Sequence, residues 1–214
     1  MASKALTGWM LLIGPLLGFI MFTFVNPAGW EDDFAVQVAD ILDNPALATI
    51  GGFLGCVGML AAMIGTAFLS RSMQGDQKRG SDLAGLAAVL ALLSAGVLLV
   101  VAGLNIAIDN SEWIAKGGNA EAAYATAEGI WHVVEISMGG AILMLGIAIL
   151  LQKNFHLVVG GITAILGACL VVGSLIGADN SAGEVFLAIG FLGWLIITLI
   201  IGGLILLAEK KASA

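Results

Sequence analysis

The chain has 214 residues, 60% of them hydrophobic and only 11% charged, with a mean hydropathy of +1.06 and a net charge of −7. A water-soluble domain is nearer half apolar and a quarter charged, so lipid must surround most of this chain. The acidic balance speaks against a nucleic-acid partner.

Six runs reach the ~20 apolar residues needed to cross a bilayer: 7–25, 46–69, 83–108, 125–151, 157–177 and 184–207. Backbone groups in lipid must bond within their own segment, and the alternation of a membrane barrel is absent, so all six are predicted helices. The expected fold is an all-α, polytopic transmembrane bundle forming a single domain over 1–214. The 30 glycines are spread through the apolar runs, which points to close helix–helix contact.

The first span follows Lys4 and superficially resembles a secretion signal. Asn26-Pro27-Ala28 makes a poor cleavage site, so a retained span is expected. Gly14-Pro15 predicts a kink, and Gly14 with Gly18 a face where a neighbouring backbone comes close. A surface helix is expected over 31–43: Phe34, Val38, Ile41 and Leu42 share one side, with Asp33, Gln37 and Asp40 on the other. Glu31, Asp32 and Asp33 at its start suit the helix dipole. Asn44-Pro45 reads as an N-cap with proline at the first helical position of the second span.

The second span ends at Arg71, before the loop holding Lys78 and Arg79. The third closes on Asn105 and Asp109. Lys153 to His156 turn the fourth span into the fifth, and Asp179 and Glu184 lie in the next connection. With six spans, Lys4, Arg71, Lys78, Arg79, Lys153, Lys210 and Lys211 share one side and Lys116 alone lies on the other. That asymmetry places both termini in the cytoplasm and the protein in the cell (inner) membrane. Arg71, Lys78 and Arg79 form a basic cytoplasmic face, explained by topology or by docking of anionic lipid or a partner. Cys56 and Cys169 lie in different spans and give neither a disulfide framework nor a zinc spacing.

Short matches hint at internal repetition. Asp109-Asn110-Ser111 recurs as Asp179-Asn180-Ser181; Val101, Gly103 and Ile106 recur as Val171, Gly173 and Ile176. Gly52-Phe53-Leu54-Gly55 recurs as Gly190-Phe191-Leu192-Gly193. The repeat unit would be a helix hairpin in parallel orientation.

The fourth span is the one long apolar run that ionisable groups enter. Glu128, His132 and Glu135 stand at i, i+4 and i+7, on one helix face. Counting ~1.5 Å per residue from Gln152, Glu135 lies ~25 Å along the helix, against a hydrocarbon thickness of ~30 Å. A carboxylate at that depth faces the bundle interior or a water-filled cavity. Such a cluster can tie helices together, handle an ion or proton, or ligate a metal with help from Asn105, Asp109, Asp179 or Glu184. A haem held by two histidines is disfavoured, because His156 is on the opposite side. Trp30, Trp113, Tyr124 and Trp131 fit an interfacial aromatic belt; a lipid, quinone or pigment contact beside Trp131 is the alternative.

Nucleophile-elbow, zincin, P-loop and dinucleotide-binding signatures are missing, and no segment outside the spans is long enough for a catalytic domain. The middle of every span reads as apolar, which weighs against active transport. The run from Leu145 to Phe155, with Gly160-Gly161-Ile162 and Gly167 after it, resembles the later helical hairpin of uncharacterised bacterial multi-pass membrane families, in which a short basic turn joins two Gly-rich spans. Those families have no agreed activity, so the resemblance implies fold alone.

The leading expectation is a non-enzymatic accessory or structural membrane subunit, packing against a partner or itself through Gly-rich faces. The alternatives are a small transporter or channel with an outward site at Glu135 and His132, and a membrane-embedded metal or cofactor binder whose cofactor the residues do not name.

Overall fold

The structure is a computed structural model that describes residues 3–28, 33–76, 78–108, 110–177 and 180–212. Trp30, Glu31, Asp32, Asp109 and Asp179, all singled out in the sequence, lie outside them. The described residues form eight α-helices: α1 (Lys4–Ile20), α2 (Phe34–Asp43), α3 (Pro45–Ser72), α4 (Ser81–Ile108), α5 (Ser111–Ala115), α6 (Ala120–Gln152), α7 (Leu157–Ile176) and α8 (Ser181–Ala212). Six spans, α1 with its extension to Val25, α3, α4, α6, α7 and α8, are long and apolar enough to cross a membrane.

Each span packs on its neighbours in sequence, and α8 returns to α1. The bundle is therefore a ring in the order α1, α3, α4, α6, α7, α8. The start of α1 and the end of α8 lie at one rim, because the two helices run antiparallel, with Gly8 against Leu206 and Gly202 against Leu12. That rim also carries Arg71 and Lys78, so we refer to a basic end and an acidic end.

Four of the six seams close backbone to backbone. A Cβ on Gly14 would lie 2.7 Å from the Ala62 nitrogen, and one on Gly202 would lie 2.8 Å from the Gly8 oxygen. The same exclusion holds at Gly167 against Gly139 and at Gly173 against Leu187. The expected close approach at Gly14 and Gly18 is thus the α1–α3 seam. The two seams of α4 use small side chains instead: Ala67, Ala91 and Ala141 are buried together. Contact this close is what holds helices together where lipid is as apolar as the side chains.

Within the ring, Met59, Met63, Leu98, Met138, Leu170 and Trp194 fill the middle. Leu11, Leu69, Met73, Leu145, Ile149 and Ile201 fill the basic end. Cys56 is buried and Cys169 half-buried, both as free thiols.

The first span ends in a way the sequence does not foretell. It stays α-helical through Pro15 and widens to a π-helical turn at Met21–Val25, where the Asn26 N–H donates to the Met21 carbonyl at 2.9 Å. The second helix begins three residues later than its predicted start, because the Asp33 carboxylate caps it by accepting from the Ala35 N–H at 2.8 Å. Gln37, expected on the solvated side, is buried and accepts a hydrogen bond from the Tyr124 hydroxyl. The reason is helical: Gln37 stands three residues after Phe34 and four before Ile41, inside the same stripe. That stripe rests on Ile108, Ala123 and Tyr124 at the acidic end. Pro45 opens α3 as expected, but the Asn44 amide reaches back to the Asp40 carbonyl at 3.5 Å and makes no cap bond.

The repeated letters share an environment only in part. Gly103 and Gly52 face open space, whereas their counterparts Gly173 and Gly190 press on Leu187 and Leu170.

Candidate functional site

The fourth span, α6, carries the candidate site because it outruns its neighbour. Its start is fixed by Asn119, whose side chain accepts from the Ala122 N–H at 2.9 Å, and its end by Lys153 in the left-handed conformation at φ 56°. Thirty-three residues make a helix of ~50 Å, well beyond the ~30 Å hydrocarbon thickness. The 20 residues of α7 cover only ~30 Å. Gly146 and Gly139 set α7 tightly against α6. Further along the same face stand Glu135, His132 and Glu128, and α7 reaches only the first of them.

At that level the Ser174 hydroxyl donates to Glu135 Oε2 at 3.1 Å, and His132 Nδ1 lies 3.1 Å from the same oxygen. The Glu135 side chain is 12% exposed and that of His132 47% exposed. Glu128 is exposed, one turn beyond His132. Glu135 is thus largely buried where α6 meets α7. Ala127, Val134 and Met138 of α6 belong to the core; Glu135 lies at the contact with α7, and His132 beside it is exposed. The bond from Ser174 ties α6 to α7.

The other proposed participants are elsewhere. Asn105 is half-buried on α4. That helix packs on the far side of α6: Ser137 of that side and Gly139 of the α7 side are two residues apart, a rotation of ~200°. Glu184 is exposed in the first turn of α8. Among the described residues no group of three or more His, Cys, Asp or Glu is arranged to hold a metal ion.

The aromatic belt is also revised. Tyr124 is buried under α2, with Phe34 edge-on at 5.6 Å, and Trp131 packs on the core with Phe22 edge-on at 6.3 Å. Trp113 is partly exposed on the short α5.

Two polar features escaped the sequence reading. Ser174 was one hydroxyl in an otherwise apolar span, and only its contact with another span gives it meaning. Ser94 and Ser137 place a polar contact in the middle of two spans that read as apolar there. The Ser94 hydroxyl donates to the Val134 carbonyl at 2.9 Å; the Ser137 hydroxyl lies 3.0 Å from Ser94 Oγ and 2.7 Å from the Val133 carbonyl.

At the basic end, Lys78 lines an open groove with Gly75, Asp76, Ser81, Asp82 and Leu151. Its ammonium donates to the Gln74 carbonyl at 3.4 Å, and Arg71 closes α3 with its side chain exposed. Two carboxylates among these residues make the groove mixed rather than cationic.

Comparison of the chain with protein families, with curated proteins and with solved structures yields no match.

Proposed function

We propose that this is a non-enzymatic, multi-pass membrane protein that serves as an accessory or structural subunit, with both termini and the basic end in the cytoplasm. The carrying observation is the filled interior: Met59, Met63, Leu98, Met138, Leu170 and Trp194 occupy the middle of the ring. A translocation path needs polar or charged groups along its length. Here Ser94 and Ser137 bond to each other and to backbone. With these large apolar side chains filling the middle of the ring among the described residues, the protein acts through its outer surface.

The mode of contact differs from a simple Gly-rich face. The tightest glycine contacts join helices of the same chain, as at Gly14, Gly139, Gly167 and Gly202. Gly96 and Gly103, seven residues apart on α4, face open space and remain for a neighbouring protein. The test is extraction into native-lipid discs after oxidative crosslinking of Gly103→Cys in a Cys169→Ser background. The subunit reading expects an adduct of fixed mass, with a second copy or with one defined partner. Monomer alone, crosslinked and uncrosslinked, contradicts it.

A further inference from the structure

Helix α2 stands apart from the ring it rests on. Its buried residues are Gln37, Val38 and Ile41. Val38 and Ile41 meet Ile108, Ala123 and Tyr124 in a small apolar group at the acidic end. Among the described residues, the two groups that fill the ring contain no residue of α2. The packing of the interior therefore does not depend on α2.

Two local features set α2 off as a unit. Its ten residues fall short of the ~12–15 that an isolated helix needs in water, so its shape depends on what it lies against. The joint to α3 is one residue, Asn44, at φ −131° and ψ 55°. Pro45 behind it lacks the N–H that would carry the helical ladder across. The outer side of α2 is apolar as well, with Val36 44% and Leu42 43% exposed. One polar bond belongs to the packed position: the Tyr124 hydroxyl donates to Gln37 Oε1.

We propose that α2 is a strap that lifts from the ring as a unit, with the hydrogen bond from Tyr124 to Gln37 as its latch. Lifted, it lays its apolar side chains in the headgroup layer, where an amphipathic helix keeps its fold. The ring then presents Ile108, Ala123 and Tyr124, and the spans keep their packing. The strap decides whether that apolar end is covered or offered. The inference does not use the α4 face and stands or falls apart from the subunit proposal.

The test is hydrogen exchange, read by mass spectrometry on the full chain in native-lipid discs. Opening as a unit gives the amides of residues 38–43 one common protection, lower than that of residues 124–131 on α6. Tyr124→Phe removes the hydroxyl and keeps the ring against Phe34. It is expected to speed exchange in α2 about fivefold, the worth of one net hydrogen bond. Val38→Ala is expected to speed it about tenfold through lost apolar burial. Val36→Ala, on the exposed side, is expected to change it by about twofold at most. One rate shared by α2 and residues 124–131 would overturn the strap, as would Tyr124→Phe with no effect on α2.

Discussion

Ser94 and Ser137 meet where the chain has least polar company. Both are buried, and their hydroxyls share two backbone carbonyls of α6 between them. In a membrane such a link is modest, because the alternatives also find partners; measured couplings average ~0.6 kcal/mol and reach ~1.7. Ser94→Ala and Ser137→Ala are therefore each expected to lower stability by about 1 kcal/mol. Their double variant is expected to lose less than the sum, by about 0.6 kcal/mol, in reversible unfolding in mixed micelles. Strict additivity would show that the two hydroxyls act independently. The same reasoning explains why sequence could point to Glu135 and not to Ser174. An ionisable group in an apolar run is costly and stands out, whereas a serine can bond its own helix and signals nothing until its neighbour is known.

At the scale of elements, helix existence was legible and helix pairing was not. Span lengths follow from bilayer thickness, so six helices could be read directly. Several of their ends extend past the predicted limits. Asn119 caps α6 six residues before the apolar run starts, and α8 continues through Glu209, Lys210 and Lys211, since a helix does not stop where hydrocarbon does. The direction of α2 was misread at Gln37 for a related reason: a glutamine can face the protein once Tyr124 supplies a donor. Glycine positions were visible, but their partners depend on contacts remote in sequence. This separates two kinds of glycine by experiment. Gly167→Leu forces a side chain into the α6 backbone at Leu143 and Gly139 and is expected to cost at least the 1–3 kcal/mol of an overpacked core. Gly103→Leu points into open space and is expected to leave monomer stability within about 0.5 kcal/mol. Equal loss in both, measured by thermal unfolding in detergent, would contradict the assigned seams.

For the whole molecule, the consequential feature is that α8 packs on α1 and large side chains occupy the space enclosed. Closure of the ring had no local signature. Hydropathy counts spans but cannot tell a filled ring from a pore; the apolar span centres weigh against active transport without showing what fills the space between the helices. The functional reading rests on that filling, and it can be examined without knowing any partner. Purified protein is placed in proteoliposomes, and proton and monovalent-cation flux is followed with internal dyes under an imposed gradient. The scaffold account expects the same leak as in protein-free vesicles, unchanged by Glu135→Gln. A flux above that background that disappears in Glu135→Gln would contradict it.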